Sequence, residues 1–278
     1  MTDTHETDTP KADADTELRC EIDAHAVAWI TLDRPEVLNA VTVDNRKRLT
    51  ALFGGFSSND DVRAVVLTGA GRAFCSGADL RTSRGTNGPP PEPLEAARSM
   101  RDGAHDLVLA MLDCNKPIVG AVNGVAAGIG VQMALACDLL VASDNARFVQ
   151  VFARRGIVPD GGAAFLLPRL VGLNRAKELL FLGDDLAAND AERIGIVNRV
   201  VPHDELMAAT QTLAHRLASG PTQAIGLTKA LIHRSLTVDL ATSLELEAFY
   251  QAANARTEDA REGLMSFVER RPPSFKGR

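Results

Sequence analysis

The stretch best suited to chemistry is Asn123-Gly124-Val125-Ala126-Ala127-Gly128-Ile129-Gly130-Val131-Gln132. It follows an apolar run at residues 117–122 that reads as a buried strand, and it leads into residues 131–136, whose composition suits a helix. A strand, a small-residue turn and a helix start together leave backbone N–H groups unpaired at the positive end of a helix dipole. Such a turn can receive a negative or developing negative oxygen. Gly128 and Gly130 carry no side chain, so a ligand can lie against the backbone there. A dinucleotide turn is excluded, because G-x-G-x-x-G fails at Met133 and, in Gly69-Ala70-Gly71-Arg72-Ala73-Phe74, at Phe74. Neither stretch has the lysine of a phosphate-binding P-loop.

Other reactive side chains fit poorly with a separate chemistry. Cys20, Cys75, Cys114 and Cys137 lie in or beside apolar runs without C-x-x-C spacing, as reduced core fillers do. No His/Cys cluster has metal-ligand spacing, and neither a metal nor a cofactor is expected. Ser76 lacks the G-x-S-x-G context of a serine hydrolase. Glu178, Asp184 and Asp185 read as solvated charges. Asp160, in Gly156-Ile157-Val158-Pro159-Asp160-Gly161-Gly162, precedes a helix expected to begin at Gly161, where Asp is a favoured N-cap.

The elements that must position these residues follow from the hydrophobic pattern. The chain has 278 residues and 45% apolar content, enough for one large core. Its net charge of −6 argues against a nucleic-acid surface. No apolar run reaches the roughly 18 residues of a membrane span, and the acidic N-terminus is unlike a secretory signal, so a cytoplasmic protein is expected. Residues 1–17 are polar and expected to be disordered. Strands are expected at 18–23, 26–32, 62–68, 117–122, 138–143 and 146–151. A helix capped near Thr42 packs Leu49, Leu52, Phe53 and Phe56 on a sheet, and another spans 99–112. Residues 69–84 read as a loop and the proline-rich 86–93 as a flexible crossing segment. Interleaved strands and helices give an α/β layered core over 18–203. Residues 204–278 read as helices at 204–218, 221–234, 237–256 and 258–270. Their apolar stripes need their own core or another subunit's, so oligomerisation is expected.

Taken together, Leu32-Asp33-Arg34-Pro35 with Asn39-Ala40, Ala73-Phe74-Cys75-Ser76-Gly77-Ala78-Asp79-Leu80, Lys116-Pro117 with Asn123-Gly124-Val125-Ala126-Ala127-Gly128, and Cys137-Asp138 resemble the enoyl-CoA hydratase/isomerase (crotonase) superfamily. The resemblance covers about residues 18–278, including the closing Ser274-Phe275-Lys276-Gly277-Arg278. It implies a spiral of ββα units, an acyl-CoA site in the core, and a C-terminal helical region that assembles a homotrimer or a dimer of trimers. It also implies an acyl-CoA thioester substrate, with CoA as part of the substrate and not a cofactor, and no nucleic-acid or membrane partner. The thioester oxygen would sit between the backbone N–H groups of Ala78 and Ile129, the second at a position that is commonly Gly in the family. Ala78, Asp79, Leu80 and Arg81 would line the CoA channel, although Asp79 also reads as a turn-forming residue.

Hydratase members of the family carry two catalytic glutamates, at positions that hold Gln132 and Phe152 here. Neither can carry a proton near neutrality, which disfavours ordinary hydration. The family places an acid at the position of Asp160 in a subset of isomerases, including those of the phenylacetate-pathway type. One carboxylate suffices there to move a proton from C2 to C4 of a 3-enoyl thioester, and Phe152 and Phe165 would make its surroundings apolar. An aryl-CoA dehalogenase branch uses the same Asp as a nucleophile, assisted by a His from the helix before the Lys-Pro strand, a helix that carries His105 here, but Phe152 stands where that branch has a bulky indole. His105 reads more readily as an ordinary exposed or half-buried helix residue. The fourth reading is an acyl-CoA-binding protein without catalysis.

Overall fold

The computed structural model of the chain describes residues 17–81 and 92–278. The expected disordered segment 1–17, apart from Glu17, and residues 86–91 of the crossing segment lie outside the described residues.

Strands β1 (Leu18–Ile22) and β2 (Val27–Leu32) form an antiparallel hairpin. The Asp23 carboxylate closes its turn by accepting the N–H groups of His25 and Val27 at 2.8 and 3.1 Å. Helix α1 (Val43–Phe56) starts where Thr42 and Asn45 exchange side-chain and backbone hydrogen bonds in a capping box, and it buries Leu49, Phe53 and Phe56. The wholly buried β3 (Ala64–Gly69) is followed by the short β4 (Ala73–Cys75). Next come α2 (Pro93–Met100), a π-helical turn over Arg101–His105, and α3 (Asp106–Asp113). Strands β5 (Ile118–Val122) and β6 (Val125–Ala127) then lead into α4 (Ile129–Leu135), followed by β7 (Leu139–Ser143) and β8 (Arg147–Val149). The remainder is α5 (Ala163–Val171), α6 (Leu173–Leu182), β9 (Asp185–Ala187), α7 (Ala188–Arg193) and β10 (Arg199–Val201). Four helices close the chain: α8 (Leu206–Ala218), α9 (Thr222–Ser235), α10 (Leu240–Asn254) and α11 (Glu258–Val268).

The strands form a six-stranded sheet, β1-β2-β3-β5-β7-β10, and a four-stranded sheet, β4-β6-β8-β9. The path steps from the first sheet to the second three times, as β3 to β4, β5 to β6 and β7 to β8. This is the expected crotonase-like spiral, with pairing parallel except at the β1–β2 and β8–β9 edges. Parallel strands covered on both faces read as continuous apolar runs, which is why β3, β5 and β7 are visible in the sequence. The main core includes Leu67, Phe74, Ile118 and Met133; a second cluster seats Leu206, Ala214 and Ala218 of α8 against β3, β5 and β7. Among the described residues no helix is long and apolar enough to cross a membrane.

Three strands differ from the sequence reading. β4 lies within the expected loop, β6 within the expected turn, and β9 where no strand is expected. Each has three residues, too few to display an alternation, and exists because a neighbouring strand pairs with it.

The C-terminal helices are tied to the core by buried polar contacts. Lys229 of α9 donates to the Asp138 carboxylate at 2.9 Å and to the Met111 carbonyl at 3.0 Å. The same Asp138 oxygen accepts the Ile118 N–H at 2.7 Å. The closing Lys276-Gly277 segment donates both N–H groups to the buried Asp259 carboxylate. Replacing Lys229 by Met leaves Asp138 without its cation. We expect a loss of about 2–3 kcal/mol, the low edge for a broken buried pair because Asp138 keeps some water contact. The urea midpoint should therefore fall, and part of the loss should return in the Asp138→Asn, Lys229→Met double variant.

Candidate active site

The site begins with the orientation of two peptide planes. Gly128 adopts φ 52°, ψ −126°, open only to glycine. Its carbonyl accepts the N–H groups of Val131 and Gln132 at 2.9 and 3.3 Å and the Gln132 side-chain amide at 3.2 Å. Across a trans peptide the next N–H points the opposite way, so that of Ile129 is directed out of α4. As the first residue of the helix, Ile129 has no intrahelical acceptor.

Ala78 is arranged in the same way. Val41 donates to the Gly77 carbonyl and accepts the Asp79 N–H, both at 2.9 Å. The Ala78 N–H, on the peptide of that Gly77 carbonyl, therefore faces away from Val41, and no described hydrogen bond uses it. The two turns touch: a Cβ placed on Gly77 would lie 3.2 Å from the Ala127 carbonyl oxygen. Among the described residues neither N–H group has a hydrogen-bond partner, and both residues lie just beyond the ends of the paired strands β4 and β6.

Asp160 completes the constellation. A Cβ on the following Gly161 would lie 2.7 Å from Ile129 Cδ1 and 3.0 Å from Gln132 Cγ, so the Asp160-Gly161 step packs directly on the α4 turn. The capping expectation is corrected. Helix α5 begins at Ala163 behind Gly162 with no side-chain cap, and Asp160 contributes only its backbone carbonyl. No described hydrogen bond or ion pair uses the Asp160 carboxylate. Burial pushes its pKa above the ordinary carboxylate value, and the charges of His105 and Arg46 pull it part of the way back.

The remaining expected residues separate into two groups. His105, at the end of the π-helical turn, is exposed, yet its charge reaches Asp160. Gln132 is fully buried and donates to the Gln150 side chain at 2.9 Å, which leaves its own Oε1 and the Gln150 Nε2 without partners. Phe152 is buried, as expected. Phe165 stacks under the Arg169 guanidinium and lines a cavity of about 990 Å³ beneath α9, whose lining does not include Asp160.

Asp79 is buried and anchors its turn. It accepts the Arg81 N–H at 3.0 Å and pairs with Arg34 at 3.0 Å and Arg81 at 3.4 Å. Burial raises its pKa, but the Arg81 backbone bond and the two guanidinium groups outweigh that effect and hold it below the usual carboxylate range. Leu80 and Arg81 are exposed beside Ala78 on an open cleft of about 420 Å³, which Arg72 also lines. The sequence reading missed Arg72, although it lies in the rejected glycine motif next to the Ala78 turn. It also missed Arg46, whose surface-like place in α1 gave no signal. Cys75 is inert, because burial pushes its thiol up to about 12.

Three comparisons with known proteins bear on this arrangement. The family described as enoyl-CoA hydratase/isomerase matches residues 23–278. A probable enoyl-CoA hydratase of Rhodobacter capsulatus is 39% identical, over 94% of this chain and 98% of that one. The 1,2-epoxyphenylacetyl-CoA isomerase of Escherichia coli is 38% identical, over 91% and 95%. A crystal structure of a putative enoyl-CoA hydratase from Streptomyces coelicolor superposes with TM-score 0.90 at 40% identity, covering 99% of this chain and 98% of that chain.

A half-buried carboxylate without a bonded partner destabilises the fold once it ionises. Because burial raises the folded pKa of Asp160, the folded state keeps a proton that the unfolded state has lost across the window between the two values. Stability contributed at this position is therefore lost as pH rises through that window. Asp160→Asn should melt above the wild type at neutral pH, and the difference should shrink toward zero as pH drops below the unfolded value; differential scanning calorimetry across that range tests it.

Proposed function

The chain is a member of the enoyl-CoA hydratase/isomerase family, and from that membership we propose that it is a Δ3-Δ2 enoyl-CoA isomerase in which Asp160 is the only proton carrier. In this reading the thioester carbonyl accepts hydrogen bonds from the N–H groups of Ala78 and Ile129. Asp160 takes a proton from C2 of a 3-enoyl thioester, and the electron pair moves into a dienolate with its charge on the thioester oxygen. The same carboxyl then returns the proton to C4 as the double bond settles between C2 and C3. Each oxyanion donor of this kind contributes about 2.7–4 kcal/mol to lowering the barrier. The observation that carries the reading is a half-buried, unbonded carboxylate packed through Gly161 onto the Ile129 turn.

CoA fits the cleft beside Ala78. Arg72 and Arg81 offer exposed cations for its phosphates, and Leu80 offers an apolar contact for the pantetheine arm. Asp79, bound on all sides, shapes this cleft instead of moving protons. Hydration is disfavoured although several relatives are named hydratases, because Gln132 and Phe152 stand where two acids are required. The aryl-CoA dehalogenase reading gains the proximity of His105, but the single Trp of the chain, Trp29, is in β2 and bonded to Asp23. For assembly we infer a homotrimer or a dimer of trimers, supported by the outward-facing Leu240, Leu244 and Phe249 of α10 and Leu264, Phe267 and Val268 of α11.

Asp160→Asn should lower 3-enoyl-CoA isomerisation by about 10²–10⁴-fold, while acyl-CoA affinity stays within about twofold. Wild-type-like turnover by this variant would refute the mechanism. In the wild type, activity requires the ionised acid, so kcat/KM should fall as pH drops through a value above the ordinary Asp range, a limb absent from the residual activity of the variant. Hydration of crotonyl-CoA should remain far slower than isomerisation, measured as loss of enoyl absorbance.

A further inference from the structure

The cavity of about 990 Å³ beneath α9 takes no part in the proposed reaction, since neither Asp160, Ala78 nor Ile129 lines it. Its volume is at the upper end of the range of small-molecule sites, about 300–1,000 Å³. Helix α9 is pinned to the core at two points. Gly226 packs on the Asn115 backbone, where a Cβ would collide with the carbonyl oxygen, and Lys229 reaches Asp138 and the Met111 carbonyl. Beside these anchors Ala224 and Ala230 line the cavity with one methyl group each and do not fill it. α9 borders the space from Ala224 to Arg234, about 15 Å at about 1.5 Å per residue, so the space is elongated along the helix.

The chemistry of the lining changes from the inside to the mouth. Leu135, Ala136 and Cys114 form a buried apolar inner wall, while Arg169 and Arg234 are exposed. The Arg169 guanidinium is held over the Phe165 ring at 3.5 Å and spends one donor on the Phe165 carbonyl. Among the described residues no hydrogen bond or ion pair uses the Arg234 guanidinium. The acids of the lining do not cancel these cations. Asp138 is paired with the buried Lys229, which leaves the exposed Asp113 against two guanidinium groups. An elongated apolar space with guanidinium groups at its mouth suits a hydrocarbon chain that ends in an acid. A second copy of the chain is a poorer occupant, because the outward-facing Leu240, Leu244, Phe249, Leu264, Phe267 and Val268 invoked above for assembly are all absent from the lining.

We propose that this cavity binds a free fatty carboxylate, with its chain against the inner wall and its headgroup on Arg169 and Arg234, at a site separate from the thioester cleft. The inference does not depend on the isomerase reading.

The test is isothermal titration of the full-length protein with decanoate, decanol and butanoate. Decanoate should bind at one site per chain, about tenfold more tightly than decanol, which lacks the charge, or butanoate, which leaves the cavity unfilled. In an Arg169→Gln, Arg234→Gln double variant the ratio of decanoate to decanol affinity should collapse toward one. Ala230→Phe, which fills the space, should weaken both ligands about tenfold, with thermal midpoints confirming that the variants fold. Both arginines are exposed, so the double variant decides the question even if Ala230→Phe does not fold. Saturating butanoyl-CoA should leave decanoate binding unchanged. Displacement by butanoyl-CoA would put the ligand in the thioester cleft and overturn the proposal, as would equal binding of decanoate and decanol or a preference that survives in the double variant. Absence of decanoate binding also overturns it, and a changed sedimentation coefficient in the double variant would then assign the cavity to a contact between copies.

Discussion

The site depends on which way the Gly128–Ile129 peptide plane faces. Three donors hold the Gly128 carbonyl into the helix, and the planarity of the peptide does the rest, sending the Ile129 N–H outward. One of the three is the Gln132 side chain, at the position where hydratase members of the family carry a glutamate. An ionised glutamate accepts hydrogen bonds and cannot donate to a carbonyl. Gln132 is therefore more than a missing acid, since it adds a donor that holds the peptide in place. Gln150 accepts the amide of Gln132 in turn, so the clamp reaches from α4 into the segment after β8.

The second proposed donor, Ala78, is positioned by the sheet. β4 and β6 are adjacent parallel strands, and Ala78 and Ile129 lie just past their C-terminal ends. Neighbouring strands run about 4.8 Å apart, a spacing that lets two N–H groups converge on one oxygen. Close backbone approach maintains it: a Cβ at Gly130 would meet the Cys75 carbonyl oxygen at 2.2 Å. The glycines of this region are thus contact surfaces between β4, α4 and the Asp160 loop, and any side chain at them would push the proposed donors apart.

Much of this was legible in the sequence. The long buried strands showed as apolar runs, the start of α1 as Thr42, and the α4 turn as a cluster of small residues between strand and helix. The three-residue strands were not, because their existence is decided by partners far along the chain. The capping reading of Asp160 failed for a local reason: Gly161 and Gly162 both take positive φ, which delays the helix to Ala163 and frees the carboxylate. Arg46 was invisible for a different reason. On α1 it looks like one more solvated cation beside Lys47 and Arg48, and the turn at Gly103 that its guanidinium packs against is distant in sequence.

The contrast between Asp79 and Asp160 is why the proposed mechanism gives the proton to the second. Both lie beside the same pair of turns. Asp79 has its charge satisfied by Arg34, Arg81 and a backbone N–H, so its proton affinity is too low for it to accept a proton from carbon. Asp160 is partly desolvated and holds no bonded partner among the described residues, which raises its affinity, while Arg46 and His105 act from beyond ion-pair contact to limit the rise. A group that must both take and return a proton needs this intermediate setting: a contact ion pair would lock it as the anion, and complete burial would lock it as the acid. The two cations therefore matter most for standing near the acid without touching it.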